Sequence, residues 1–233
     1  MRLSTVVLTR ANQQTIVQGM IHIGPQSLYQ KLQQRLDEAI AGNYQIFFEG
    51  VRRKYYRCGT ANELRIKKFF HIMFSSYPVF AVAIGVAEQR DEIVYPKDGV
   101  NADIDTQEMT RVLDENGFKC RCLLFLFEIL RSPKFKSQLA EVLAQKKSTY
   151  LIQEQKNPKL LSRLIIWTLF RKANPVILGY RNHIAVAQIK KSSDGRNIFL
   201  HYGEKHISGL VRLFQGEGWI VKEISYTELA DFC

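Results

Sequence analysis

An apolar segment, an amphipathic helix and a second apolar segment follow one another within the first fifty residues. Residues 15–23 and 44–51 are rich in β-branched, aromatic and other apolar side chains, as buried strands are. Between them Pro25 suits the first turn of a helix, and the apolar residues then recur at every fourth position, at Leu28, Leu32, Leu36 and Ile40. Strands joined by such a helix normally lie parallel in one sheet. The sequence therefore predicts an α/β fold, in which helices flank a mixed central sheet and a helical insertion or subdomain lies in the middle.

The rest of the chain adds elements of the same two kinds. Three further strands are predicted at residues 5–8, 197–202 and 219–226, and three helices at residues 62–74, at 208–215 and directly after Arg181. Asp105 and Glu108 form a capping-box pattern, in which each side chain accepts a hydrogen bond from a backbone N–H at the start of a helix. From there to residue 172 the apolar periodicity is helical. We expect one domain over residues 1–233.

The net charge of +11 is concentrated in one segment. Residues 119–172 hold 12 basic and three acidic side chains, whereas residues 1–117 are nearly neutral, with 14 basic and 13 acidic. Two interpretations of this basic helical segment are open: solvated helix faces, or a surface that contacts an anionic partner such as an acidic protein or lipid. The chain has no aromatic-rich RNA motif and no zinc-finger spacing, so nucleic acid is the less favoured partner.

Cysteine spacing and the N-terminal residues both favour a reducing compartment. The four cysteines match no common zinc motif and form no disulfide framework. Polar residues between Thr9 and Gln14 interrupt the apolar run that a signal peptide needs, and the longest apolar runs are far shorter than the roughly 20 residues of a membrane span. We expect a cytoplasmic protein without a transmembrane segment; peripheral membrane association and non-classical export stay open.

One short pattern occurs twice in the same context. Residues 19–23 and 203–207 both read Gly-x-x-His-Ile, and each copy follows an apolar strand and precedes a predicted helix. Ligands of open α/β sheets bind beyond the carboxyl ends of the strands. We therefore expect His22 and His206 to converge on one site, although most of the chain separates them. His71, His183 and His201 have no comparable context and are not assigned to it.

These motifs, taken in order, resemble the TraB/PrgY/GumN/Tiki family. The similarity runs from end to end of the chain through residues 19–24, 47–50, 101–104, 180–182 and 202–210. The resemblance implies a mixed α/β fold whose two Gly-x-x-His motifs share a site with an acidic residue. Tiki members are regarded as metal-dependent proteases, and TraB and PrgY members are linked to the control of peptide pheromones. Tyr180 departs from the pattern, since many members carry an acidic residue there.

Carried over by position, the resemblance implies a divalent metal site formed by His22, Glu49 and His206. It also implies that Glu49, Arg181 and Asn182 are the catalytic residues. Two imidazoles and a carboxylate suit zinc, manganese, cobalt or non-haem iron, so the donor types do not select the metal. A bound ion would activate water and polarise a scissile carbonyl, while Arg181 would orient the substrate or stabilise an oxyanion.

Each of these residues also has a structural interpretation. Glu49 lies in an apolar run, and a salt bridge to Arg181 is the alternative to metal ligation. Arg181 and Asn182 are also compatible with the start of a helix. Asp103 is expected to hydrogen-bond a loop and not to act as an acid. Glu204 is interpreted either as a proton-transfer group or as an exposed loop carboxylate.

Three functional hypotheses follow. The first is a metal-dependent hydrolase, a protease or peptidase that acts on peptide or protein substrates. The second is a non-catalytic regulatory protein of the same fold that binds a peptide or an anion. The third and least favoured is a nucleic-acid-binding protein that uses the basic helical segment.

Overall fold

The computed structural model describes residues 2–119 and 173–228. The chain divides into two compact units. The first consists of Met1–Arg52, Gln89–Ile104 and Leu178–Cys233, and the second of Arg53–Glu88 and Asp105–Ile177. Apart from Lys119, the predicted basic helical segment lies outside the described residues. In the part of the chain that the structure describes, no helix is both long and apolar enough to span a membrane.

Strands and helices alternate along most of the chain. In order they are β1 (Arg2–Arg10), β2 (Gln13–Met20), β3 (Ile23–Gly24), α1 (Gln26–Ala41), β4 (Gln45–Phe48), α2 (Ala61–Ile84), β5 (Ala87–Glu88), α3 (Gln89–Glu92), β6 (Val100–Asn101), α4 (Thr106–Glu115), a π-helix (Pro175–Tyr180), α5 (Arg181–Ser192), β7 (Ile198–Gly203), α6 (Glu204–Gly216) and β8 (Ile220–Glu228).

A mixed six-stranded sheet organises the first unit, in the order β6-β4-β7-β2-β1-β8. The first four strands are parallel, and β1 pairs antiparallel with both β2 and β8. The predicted α/β fold with a mixed central sheet is thus confirmed. The prediction that the strands on either side of α1 lie parallel is confirmed as well, but β7 is inserted between them, so β2 and β4 do not pair directly.

Helices cover both faces of this sheet. On one face α5 and α6 bury Ala185, Ile189, Leu210 and Phe214 in a core that also includes Val17 of β2. Successive side chains of a strand point to opposite faces, so Gln18, the neighbour of Val17, points to the other face. There Nη1 of Arg35, on α1, donates to Oε1 of Gln18 at 2.9 Å. Burying the apolar faces of these helices is the main favourable contribution to the stability of the unit.

The second unit is mainly helical where it is described, with the two-residue strand β5 at the end of its first segment. The α2 helix begins with a capping box, because Thr60 and Glu63 each accept a backbone N–H of the other. It runs past the predicted end at residue 74 to Ile84, and Gly85 ends it with a φ of 70°, in the left-handed region that suits glycine. Asp105 caps α4 by accepting the N–H of Glu108 at 2.9 Å, as its position in the capping-box pattern predicts.

Apart from the end of α2, most predicted boundaries agree with the observed ones within a few residues, but the start of α6 does not. The helix begins at Glu204 and not at residue 208, because Gly203 ends β7 and is also the N-cap of the helix. An acidic side chain in the first turn, here Glu204, favours this early start through the helix dipole. The second Gly-x-x-His motif therefore does not precede a helix but overlaps one, since His206 lies in the first turn of α6.

Candidate functional site

The register of the sheet brings the carboxyl ends of four strands to one edge. Met20 of β2 pairs with Gly203 of β7, and Phe48 of β4 pairs with both His201 of β7 and Asn101 of β6. Since these strands are parallel, the residues that follow them emerge at the same edge. They are His22, Glu49, Asp103 and His206, all part of the first unit.

Arg181, the first residue of α5, lies between two buried carboxylates at this edge. Its Nε and Nη2 atoms donate to the two oxygens of Asp103 at 2.9 and 2.6 Å, and Nη2 also donates to Oε1 of Glu49 at 2.5 Å. Arg181, Glu49 and Asp103 are 5 %, 8 % and 0 % exposed, so all three ionic groups are buried. This is the ion pair that the sequence offered as the alternative to metal ligation at Glu49.

Backbone N–H groups complete the hydrogen bonding of both carboxylates. Gly203 donates to Oε2 of Glu49 at 2.5 Å. Asp103 accepts from Gly50 at 3.2 Å and from Ile104 at 2.8 Å, which agrees with the expected role of Asp103 in a loop. Strand-end glycines matter here because a Cβ on Gly203 would lie only 2.8 Å from Oε2 of Glu49. The carboxylate of Glu49 therefore packs against backbone that has no room for a side chain.

The electrostatics of the cluster keep Glu49 ionised. Burial alone would raise the pKa of Glu49, but the nearby charge of Arg181 and smaller contributions from His206 and His22 lower it to about 2. The pKa of Arg181 is raised, because its two carboxylate partners outweigh the effect of burial. Two carboxylates against one guanidinium leave this buried cluster with a formal charge of −1 when the imidazoles are neutral. Such a cluster attracts cations and repels anions.

His206 enters the cluster with a defined tautomer. Its Nδ1 lies 2.6 Å from Oδ1 of Asn182, and Nδ2 of Asn182 donates to the backbone carbonyl of His206 at 3.3 Å. The second bond fixes which amide atom faces the ring, so Nδ1 carries the proton and Nε2 is the unprotonated nitrogen. Nε2 lies 3.7 Å from Oε1 of Glu49 and 3.4 Å from Nη1 of Arg181. Burial lowers the pKa of His206 to about 4, so the ring is neutral at pH 7.

His22 lies at the exposed rim of the same edge. It follows β2 by two residues, and it is close enough for a proton on both ring nitrogens to lower the pKa values of Glu49 and His206. Its Nδ1 lies 3.2 Å from Oε1 of Gln89, whose backbone N–H donates to the carbonyl of His22 at 2.9 Å. Of the residues predicted for the site, the structure thus joins Glu49, Arg181, Asn182 and His206 directly and holds His22 through Gln89.

Three residues that the sequence did not assign to the site, Gln89, Tyr95 and His201, form a chain of hydrogen bonds that starts at His22. Nε2 of Gln89 donates to the Tyr95 hydroxyl at 3.3 Å, and this hydroxyl lies 3.0 Å from Nδ1 of His201. The ring of Tyr95 stacks on Phe48 with 4.0 Å between centroids. The one sequence signal for these residues was the position of His201 on β7, two residues before Gly203. Gln89 and Tyr95 belong to no sequence pattern that would have indicated a place in the site.

The location of Glu204 corrects its interpretation as an exposed loop carboxylate. It is half-buried, and its carboxylate accepts the backbone N–H of Ser4 at 2.8 Å and the hydroxyl of the same residue at 2.6 Å. These bonds connect α6 to β1, so Glu204 is not an exposed loop carboxylate, and its role in proton transfer stays a prediction. Its location at the start of α6, facing β1, explains the difference.

The residue types in the cluster match those of a metal site, but their side chains are not arranged as one in this structure. Within residues 2–119 and 173–228, no three His, Cys, Asp or Glu side chains are grouped so that they could hold a metal ion. His206 and Glu49 provide a pair of acceptor atoms 3.7 Å apart, with the guanidinium of Arg181 against both. The contact of Nδ1 of His206 with the side-chain amide oxygen of Asn182 resembles the support that metal-binding histidines usually have from a carboxylate or a backbone carbonyl.

Comparisons of the chain with protein-family models, with curated proteins and with solved structures found no match. The resemblance to the TraB/PrgY/GumN/Tiki family therefore stays a prediction.

Proposed function

We propose that this protein is a hydrolase of peptide-like substrates that uses a divalent metal ion held by His22, Glu49 and His206. The observation that carries the proposal is the 3.7 Å separation between Nε2 of His206 and Oε1 of Glu49. Both atoms are acceptors in a buried environment: Oε1 belongs to a carboxylate, and Nε2 is unprotonated because the ring proton is on Nδ1, which donates to Asn182. Neighbouring buried acceptors of this kind need hydrogen-bond donors or a cation close to both, and in this structure Arg181 supplies them.

Charge balance supports a cation as the ligand. The formal charge of −1 that Glu49, Asp103 and Arg181 carry together is not neutralised by the neutral imidazole of His206. Among these three buried groups an additional positive charge is therefore favourable, although the Arg52 guanidinium, which donates to the backbone carbonyl of Asp103 at 3.0 Å, offsets part of the negative charge. This favours a metal over the anion that the second hypothesis offered.

Arg181 has a second anchor, which makes it compatible with a metal at Glu49. Its two-point contact with Asp103 does not involve Glu49. A metal bound to Glu49 would share that carboxylate with Arg181, whose position Asp103 maintains. In this proposal Arg181 keeps Glu49 ionised and orients it, and contact with substrate is not required of a side chain that is 5 % exposed.

The protonation states suit ligands better than proton carriers. Glu49, with a pKa of about 2, and His206, with a pKa of about 4, hold no titratable proton at pH 7. A bound divalent ion supplies the chemistry of hydrolysis by polarising the scissile carbonyl and lowering the pKa of water. The exposed His22 marks the side from which substrate reaches the cluster. The peptide nature of the substrate rests on the family resemblance alone.

Metal binding by single-histidine variants tests the proposal. Isothermal titration of the purified protein with Zn²⁺, Mn²⁺ and Co²⁺ at pH 7.5 should show one site. We expect the His206→Ala and His22→Ala variants to lose at least tenfold in affinity. His183→Ala is the matched control, because His183 is exposed on α5 and outside the cluster.

Hydrolysis is measured separately, by mass spectrometry of a peptide library incubated with the metal-loaded protein. Cleavage by the wild type and the control, but not by Glu49→Gln, is the expected result. A wild-type protein that binds none of the three ions contradicts the proposal, as does binding that both histidine variants retain.

One observation favours the alternative, a non-catalytic peptide-binding protein of this fold. The guanidinium of Arg181 already satisfies Oε1 of Glu49 and lies 3.4 Å from Nε2 of His206. If Arg181 is a permanent substitute for the metal, the protein will bind library peptides without cleaving them. Retention of intact peptides together with the absence of metal binding selects this alternative.

A further inference from the structure

We infer that Gln89 is a positioning residue that holds His22 with its ring proton on Nδ1, so that Nε2 is the unprotonated nitrogen that can act as a metal ligand. The geometry is independent of the proposed function, but the consequence for metal binding rests on it. Gln89 is 8 % exposed, and it comes from a segment far from His22 in the chain.

Two contacts fix Gln89 relative to His22. The backbone N–H of Gln89 donates to the carbonyl of His22 at 2.9 Å, and Oε1 of Gln89 lies 3.2 Å from the Nδ1 atom of the ring. An amide oxygen only accepts, so this second contact requires a proton on Nδ1. Main chain and side chain of one residue thus determine both where the imidazole of His22 lies and which nitrogen is protonated.

The orientation of the Gln89 amide is in turn determined by Tyr95. Nε2 of Gln89 donates to the Tyr95 hydroxyl at 3.3 Å. The hydroxyl proton has two other acceptors, since Nδ1 of His201 lies 3.0 Å away and Sδ of Met20 lies 3.9 Å away. Among the described residues Nε2 of His201 has no hydrogen-bond partner, and whichever ring nitrogen carries the proton, the Tyr95 oxygen keeps a lone pair for the amide N–H. Tyr95 therefore receives the amide N–H, and the amide oxygen faces His22.

The second motif repeats this arrangement with different residues. Nδ1 of His206 faces the amide oxygen of Asn182 at 2.6 Å, and the amide nitrogen of Asn182 is held by a backbone carbonyl. Each histidine of the Gly-x-x-His pair is thus supported at Nδ1 by a side-chain amide whose own N–H group has another partner. Hydrogen-bonded support of this kind orients metal-binding histidines and sets their tautomer.

Nitrogen-15 NMR of the ring of His22 in the metal-free protein tests the inference. At pH 8.5, above the usual imidazole pKa of about 6.5, the ring nitrogens report which of them is protonated. We expect the Nδ1–H form in the wild type and a shift of the population toward Nε2–H in Gln89→Leu. The conservative Gln89→Glu variant keeps an acceptor oxygen and should retain the Nδ1–H form. The matched control is Gln34→Leu, because Gln34 is exposed on α1.

Metal affinity is the second readout, and Gln89→Leu should lose about 10- to 100-fold while Gln89→Glu and Gln34→Leu lose much less. An Nε2–H form in the wild type overturns the inference, and so does a Gln89→Leu variant whose ring has the wild-type tautomer. Because the tautomer is read without metal, the two proposals fail separately. A tautomer change in a protein that binds no metal supports the role of Gln89 and contradicts the proposed function.

Discussion

Replacing Arg181 with methionine should lower the free energy of unfolding by about 3–5 kcal/mol at pH 7, the usual cost of removing one partner of a buried ion pair. The variant keeps most of the side-chain volume but removes all three charged hydrogen bonds to Glu49 and Asp103. Both carboxylates stay buried, since they are 8 % and 0 % exposed. The loss therefore comes from uncompensated charge and not from a cavity.

The lowered pKa of Glu49 gives a second estimate of the same size. A decrease from 4.5 to about 2 corresponds to about 3 kcal/mol, at about 1.36 kcal/mol for each pKa unit. Because the folded-state pKa is the lower one, this stability is present above pH 4.5 and is lost as the pH falls toward 2. Without Arg181, burial raises the pKa of Glu49 instead. The difference between wild type and Arg181→Met should thus be largest at pH 7 and shrink toward pH 4.5.

Urea unfolding followed by far-UV circular dichroism at pH 7 and pH 4.5 measures both effects. Arg212→Met is the matched control, because Arg212 is exposed on α6 and should change stability by less than about 0.5 kcal/mol. Adding Glu49→Gln to Arg181→Met should recover part of the loss, since it removes one unpaired charge. A loss no larger than that of the control, or one independent of pH, would refute the ion-pair argument.

Two further predictions concern the histidines. In Gly209→Ala the new Cβ would overlap Nδ2 of Asn182, so the amide should leave His206 and metal affinity should fall about 10- to 100-fold. Gly216→Ala is the control, because a Cβ on Gly216 would lie in open space. Equal metal affinities in the two variants would contradict this prediction. Burial lowers the pKa values of His201 and His206 to about 4, so stability is lost as the pH falls from about 6.5 toward 4. Each histidine should lower the free energy of unfolding by about 2 kcal/mol at pH 5, measured as a decrease in the urea midpoint. An unchanged midpoint between pH 7 and pH 5 would show that the rings are not held neutral.

The sheet edge was predictable because its signals are local in sequence. The strand–helix–strand pattern of residues 15–51 and the glycine that ends β7 predict where parallel strands stop, and side chains after those points must meet. The insertion of β7 between β2 and β4 has no local signal, because it depends on which of several apolar strands pairs with which. The sequence thus predicted the edge of the sheet at which the site lies, but not the order of the strands along that edge.

The partners of the charged residues were only partly predictable. A buried glutamate needs a cation or hydrogen-bond donors, so Arg181 was a reasonable partner for Glu49 from residue types alone. Nothing in the sequence indicates that Asp103 takes two of the three charged bonds of Arg181. That division depends on the position of the start of α5, which is a result of packing.

The two Gly-x-x-His motifs show why a shared pattern does not require a shared local structure. In the first, the histidine follows the strand and is exposed; in the second, it lies in the first turn of α6 and is 4 % exposed. Different backbones deliver both rings to one edge, and different amides, those of Gln89 and Asn182, face the same ring nitrogen. With the Nδ1–H tautomer that we infer for His22, two unrelated sets of contacts leave Nε2 unprotonated in both rings, which is expected if Nε2 of each histidine serves the same ligand.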